Sequence, residues 1–360
     1  MIRRSRVLIL LIAFAFMGAG LCGSYPARAQ EATSKTAAKS PTPTPVTSPT
    51  VTDEDEVVRV DTDAVNVLFT AQDRSRRLLT NLKAEDVKIF ENGELQKIDG
   101  FVRQVDLPLS LAILIDTSLS QERTLPEEKS AAISFIEDVI RPAKDEVSVV
   151  SFTGDSTLEL GMTNNLERLR RSVDKIEVVR PTGYIGGGVS TGTPPISAQN
   201  AAGATAIWDA IWVTSEEVLG PAPDKTRRAI ILITDGMNTY GQKRLDDAVQ
   251  AAQRAEAVIY SVGIGDRYYA GVDTGVLKKV SERTGGRAYF PRDEGELREA
   301  FKQIQEEMRS QYLIAYSPTN PKKDGSYRTI EIQLANPQLE KEKVKITHRQ
   351  GYFAKTEKKK

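Results

Sequence analysis

The sequence predicts an α/β fold: a Rossmann-like, doubly wound, mainly parallel sheet inserted in a small β-sandwich-like domain. Three observations predict it. Between about residues 107 and 311, short apolar runs alternate with stretches of helical spacing. On either side, at about 56–106 and 312–354, the hydrophobic period is two. One apolar run, LAILIDTSLS at 111–120, ends abruptly in Asp116, Thr117, Ser118 and Ser120. A buried parallel strand that ends in oxygen donors suits the ligand-binding edge of an open α/β sheet.

The chain begins with features of targeting rather than fold. MIRRSR is a positive n-region, VLILLIAFAFMGAGLC an apolar core, and Ala27-Arg28-Ala29 a small-x-small cleavage site. Residues 1–29 are therefore expected to be a secretory signal peptide, with a retained membrane anchor as the alternative. Cys22 is the only cysteine, so cleavage after Ala29 leaves none. An exported chain without disulfides is held by its core, by metal, or by both. Residues 30–55, with PTPTPVTSPTVT at their centre, hold too few apolar groups to offset ordering entropy and are expected to form a Pro/Thr-rich spacer. Residues 355–360 form a basic tail. Lys+Arg and Asp+Glu balance at 49 each, which argues against nucleic acid as the main partner.

The first β segment alternates at Val58 and Val60, and again at Val65, Val67 and Phe69. Val87 and Ile89 precede Asn92-Gly93, with Leu95 and Ile98 beyond, which is a hairpin signal. The α/β block offers strands at 111–115, 147–152, 157–162, 229–234, 258–264 and 287–290. Helical spacing joins Ile133, Ile136, Val139 and Ile140, then Ile207, Ile211 and Val218, then Leu297, Phe301, Ile304 and Met308. The last segment alternates at Ile330, Ile332 and Leu334, and at Val344 and Ile346. Two small β pieces would each struggle to bury a core alone, so one domain built from both ends is expected, with the α/β block inserted.

Three segments can reach one sheet edge. LAILIDTSLS brings Asp116, Ser118 and Ser120, GATAIWDAI brings Thr205 at a helix start, and AIILITDG brings Asp235. All five side chains offer oxygen and none offers nitrogen or sulfur. That chemistry suits a hard divalent ion, Mg²⁺ first, then Mn²⁺ or Ca²⁺. Two carboxylates balance the ion and leave room for an outside acid.

These positions resemble the metal-ion-dependent adhesion site (MIDAS) of von Willebrand factor type A domains: D-x-S-x-S at 116–120, a later Thr205, and Asp235 in a TDG turn. The resemblance covers roughly residues 107–311. The layout around it, with DVKIFENG at 86–93 and GYFA at 351–354, resembles the bacterial VWFA-related proteins first grouped from Acidobacteria. Leu119 and Gln121 depart from the pattern, where Gly and Met are common; neither removes an oxygen ligand. The resemblance implies binding rather than turnover. Ser118, Ser120 and usually Thr205 would touch the metal, and Asp116 and Asp235 would bind directly or through water. An Asp or Glu of a partner protein would complete the shell. The alternative is an envelope scaffold with a vestigial metal site.

Partner specificity is expected from the rim. The Gly- and Ser-rich stretch 181–203 carries Tyr184, and DRYYAG carries Tyr268 and Tyr269; tyrosines suit a protein interface. Enzyme motifs are weak. Gly188-Val189-Ser190-Thr191-Gly192 spells a hydrolase elbow but lacks the strand before and the helix after that Ser190 would need. His348, the only histidine, falls in the other predicted domain. No phosphate loop, dinucleotide fingerprint or Cys/His cluster is present.

Overall fold

The period-two segments form strands on both sides of the α/β block. Before it lie β1 (Val65–Gln72), β2 (Val87–Glu91), β3 (Glu94–Gln96) and β4 (Gly100–Arg103). The block contains β5 (Leu109–Asp116), α1 (Leu125–Val139), β6 (Glu146–Phe152), β7 (Ser156–Thr163) and α2 (Leu166–Asp174). A two-stranded hairpin follows, β8 (Tyr184–Ile185) and β9 (Gly188–Val189). The block continues through α3 (Ile207–Val213), β10 (Arg227–Thr234), α4 (Leu245–Arg254), β11 (Ala257–Gly263), α5 (Thr274–Thr284), β12 (Ala288–Tyr289) and α6 (Glu294–Arg309). After it come β13 (Tyr312–Tyr316), β14 (Tyr327–Leu334), α7 (Pro337–Lys341), β15 (Lys345–His348) and β16 (Gly351–Phe353).

This computed structural model describes residues 64–103, 107–180, 184–185, 188–189, 204–223, 226–265 and 271–356. All of these fall in one compact unit, Val60–Lys360. The expected signal peptide, the Pro/Thr spacer, Val58 and Val60 lie outside the described residues. Among the described residues no helix is long and apolar enough to cross a membrane.

The central sheet has the order β12-β11-β10-β5-β6-β7. Every neighbouring pair is parallel except β6–β7. All eight residues of β5 are buried, as a strand covered on both faces requires. Alternate side chains serve opposite layers. Leu111, Ile113 and Ile115 pack with α1, α2 and α6, while Ala112 and Leu114 pack with α3, α4 and α5. Each such Leu or Ile contributes roughly 1.5–3 kcal/mol relative to exposure.

The flanking strands make two four-stranded sheets, ordered β15-β1-β13-β4 and β16-β14-β2-β3. Both sheets mix strands from the two ends of the chain, alternating in the first and meeting at the β14–β2 pair in the second, and one cluster joins Val67, Phe69, Ile89, Tyr312, Ile314, Tyr316, Ile330 and Ile332. The β2–β3 turn has positive φ at both Asn92 (49°) and Gly93 (82°), the type I′ geometry that matches strand twist. Some details differ from the periodicity. Ile98 and Val344 lie outside strands although both pack on the core. The helix from Ile207 passes at Thr214 into a wider π turn that ends at Leu219.

Candidate metal centre

The site sits at the carboxyl ends of the two central strands. Ile115 of β5 and Ile233 of β10 are register partners, so Asp116 and Thr234 emerge side by side. Asp116 is fully buried. Its Oδ1 accepts the Ser118 backbone N–H at 2.9 Å, and its Oδ2 accepts the Thr234 hydroxyl at 2.6 Å. The first bond folds the D-x-S-x-S loop back on its own acid and brings Ser118 and Ser120 together, Oγ to Oγ at 3.0 Å. Thr117 takes no part. Its N–H and hydroxyl both go to the Phe152 carbonyl, pinning the loop to β6. Leu119 opens a short 3-10 turn, Leu119–Gln121, that leads towards α1.

Asp235 follows directly on β10. Its Oδ1 accepts the Met237 N–H at 2.9 Å; its other carboxyl oxygen makes no hydrogen bond among the described residues. Gly236 has φ +84°, and a Cβ there would lie 3.0 Å from Leu277 Cγ and 3.1 Å from the Asp273 carbonyl. Only glycine turns the chain there without strain. The Asp235 carbonyl accepts the Asp273 N–H at 2.8 Å, which ties the turn to the start of α5.

Thr205 arrives from a third segment and is buried. The next residue, Ala206, donates its N–H to the Thr153 carbonyl at 2.7 Å, just beyond the end of β6. The Thr205 N–H goes to the Thr239 hydroxyl at 2.9 Å, and its carbonyl accepts the N–H groups of Thr239 and Tyr240. Thr205 is thus held between the loop after β6 and the loop after β10. Asp116, Ser118, Ser120, Thr205 and Asp235 all lie at this one edge. The rim tyrosines are another matter. Tyr184 contributes backbone to β8, opposite Val189, but its side chain and all of Tyr268, Tyr269 and Ser190 lie outside the described residues.

Burial dominates the electrostatics. It pushes the Asp116 carboxyl up to about 6, against the opposing hydrogen bonds from Thr234 and Ser118, and the nearby Asp235 charge adds to the rise. Burial also lifts Glu128 to about 8; a Thr124 hydrogen bond opposes this, and the charges of Asp116 and Asp235 reinforce it. Sequence reasoning missed Glu128, Thr234 and Thr239. The signal for Glu128 was available: it stands three residues after Leu125 and three before Ala131, an acid on the buried stripe of α1.

The donor set fits a hard cation. Among the described residues no group of three or more His, Cys, Asp or Glu is placed to hold a metal. The site has two carboxylates, and its remaining donors are hydroxyls. An all-oxygen set of this kind suits Mg²⁺, Mn²⁺ or Ca²⁺ better than a soft ion.

The model of the von Willebrand factor type A domain matches residues 110–303. The chain belongs to the von Willebrand factor type A domain family. This VWA block coincides with the six-stranded sheet and its two helical layers. No curated protein matches the chain at a significant level. Among solved structures, the chain is similar to proximal thread matrix protein 1 from the mussel byssus, at 16% identity and a TM-score of 0.46. That match covers 61% of this chain and 51% of the mussel protein. A second structure of the mussel protein has a zinc-occupied MIDAS motif. The chain spans about half the length of these mussel structures. It is also similar to a von Willebrand factor type A protein from Catenulispora acidiphila, at 14% identity and a TM-score of 0.44, covering 76% of this chain and 74% of that one. The family assignment rests on the match to the domain model.

Proposed function

We propose that this chain is an exported binding protein that captures other proteins through a divalent cation. Asp116, Ser118, Ser120, Thr205 and Asp235 would hold the ion, Mg²⁺ first among candidates. One observation carries the reading: three separate segments deliver two carboxylates and three hydroxyls to one edge of the central strands. When bound, the ion supplies an electrophilic position for an Asp or Glu carboxylate of the partner. Two acids balance its charge, and the neutral hydroxyls leave it strongly attractive to a third. Tyr184, Tyr268 and Tyr269 are proposed to read the partner's surface at the rim. Export rests on the N-terminal signal pattern.

Binding rather than turnover is the activity proposed. His348 sits in β15, where its Nε2 accepts the Ile332 N–H at 3.2 Å and its Nδ1 lies 2.7 Å from the Arg349 carbonyl. Nε2 ties β15 to β14 and Nδ1 lies against the next residue's own carbonyl, so both ring nitrogens are engaged, and burial lowers the basicity of the ring.

The test is calorimetric titration of the chain with Mg²⁺ and Mn²⁺, beside Asp116→Ala and Ser118→Ala. Saturable one-to-one binding that both substitutions abolish, followed by chelator-sensitive capture of a carboxylate-bearing partner, is the expected result. A folded parent that binds neither ion would sink the reading.

A further inference from the structure

Behind the metal-facing loop lies a polar contact that the site chemistry above does not use. Gln121, fully buried, ends the 3-10 turn next to Ser120. Its amide reaches three groups at once. In the orientation that satisfies its neighbours, Nε2 donates to Thr124 Oγ1 and to Glu128 Oε1, each at 2.9 Å, and Oε1 accepts the Asp235 backbone N–H at 3.3 Å. The opposite orientation keeps a Thr124 hydroxyl bond at 2.9 Å and a 3.3 Å bond to the Ile264 carbonyl, but it faces the amide oxygen to Glu128 and the nitrogen to the Asp235 N–H. Glu128 is also fully buried, and its Oε2 has no hydrogen-bond partner among the described residues. A buried carboxyl group so sparsely held is costly. On the apolar face of α1 a leucine or methionine would serve packing better.

We propose that Gln121, braced by Glu128, is a positioning residue that fixes the Asp235 turn for cation binding. The inference deepens the metal-site reading and rests on it. Three groups of Asp235 are held: its carbonyl by Asp273 N–H, its Oδ1 by Met237 N–H, and its own N–H by Gln121. Of these, only the Gln121 contact links the turn to the D-x-S-x-S segment. With the Thr234–Asp116 bond, it sets the spacing between the loop that carries Ser118 and Ser120 and the strand end that carries Asp235. Glu128 Oε1 holds the amide against rotation by accepting from Nε2, because the reverse orientation would face the amide oxygen to that acceptor oxygen.

The experiment is Mn²⁺ titration by calorimetry on the parent, Gln121→Met, Glu128→Met and Glu128→Gln, with thermal unfolding of each in chelator. Outer-shell partners of metal ligands typically set ten- to hundredfold in affinity, so Gln121→Met and Glu128→Met are expected to weaken binding by about that factor. Glu128→Gln keeps an acceptor for the Gln121 amide and is expected to bind within about threefold of the parent, well short of that range. Gln121→Leu replaces Gln121→Met if the latter fails to fold. Parent-like affinity in the folded Gln121 variant overturns the proposal, even where its melting temperature drops, because the residue then only packs. Glu128→Gln as weak as Glu128→Met also overturns it, because an acceptor for the Gln121 amide would then not be what supports binding. A parent that does not bind Mn²⁺ removes the metal-site reading itself and this inference with it, an outcome seen before any variant is compared.

Discussion

The Thr234 hydroxyl donates to Asp116 Oδ2 at 2.6 Å, joining the carboxyl ends of the two central strands. It also accepts the Gly236 N–H at 3.2 Å, so one hydroxyl orients both the acid of the first loop and the turn that carries Asp235. Hydrogen bonds to charged groups contribute about 1.5–3 kcal/mol. Thr234→Val keeps the shape and removes both bonds. It is expected to lower Mg²⁺ affinity by about tenfold or more on that scale. Thr234→Ser restores the donor and is expected to recover most of the loss. Isothermal titration of the two variants checks this.

The metal-free protein is expected to lose stability as pH rises. Asp116 and Glu128 are both held above their ordinary values, at about 6 and about 8. Through the interval between the unfolded and folded values, the folded state holds protons that the unfolded state has released. Stability is therefore full below about pH 4 for these two groups and falls as pH climbs to about 8, by at most about 1.4 kcal/mol per pH unit for each group. Thermal unfolding in chelator from pH 5 to pH 8.5 reads this directly. Glu128→Gln is expected to remove the upper part of the fall, and saturating Mg²⁺ to reverse the part due to Asp116. A melting temperature that rises with pH across this range would contradict the burial argument.

How far the sequence carries is clearest at these residues. The α/β class was legible because β5, β10 and β11 are apolar runs of strand length separated by helical spacing, and burial on both faces leaves no other pattern. Asp116 and Asp235 were legible because each breaks such a run at its carboxyl end. Thr117 looked equivalent to Ser118 in the string, yet it turns to Phe152, since the loop's two sides diverge only once the Ser118 N–H closes on Asp116. Thr234 read as one more strand residue. The supporting contacts were not legible, because they join groups far apart in sequence. Glu91 and Arg328 are separated by 237 positions and look like ordinary polar residues of two alternating strands.

That pair supplies the last prediction. Glu91 and Arg328 form a salt bridge at 3.1 Å with both side chains almost wholly buried, 2% and 3% exposed. Glu91 Oε2 also accepts the Tyr316 and Tyr352 hydroxyls at 2.9 and 2.8 Å, while Arg328 Nη1 donates to the Asn320 carbonyl at 2.7 Å. The cluster crosslinks the two β sheets, since Tyr316 belongs to β13 and the other three to β2, β14 and β16. Removing only the cation leaves a carboxylate in an apolar layer, which costs about 3–5 kcal/mol. Arg328→Met is therefore expected to lower the melting temperature sharply. The double change Glu91→Leu with Arg328→Met removes both charges and is expected to regain much of that loss, because a buried pair contributes little beyond an apolar pair of similar volume. Chemical unfolding of the parent and the three variants, including Glu91→Leu alone, gives the coupling energy as a double-mutant cycle. A cycle that sums without coupling would show that the two side chains do not act as a pair. A strong coupling would establish that strands from opposite ends of the chain are locked together around the VWA block by one buried charge pair.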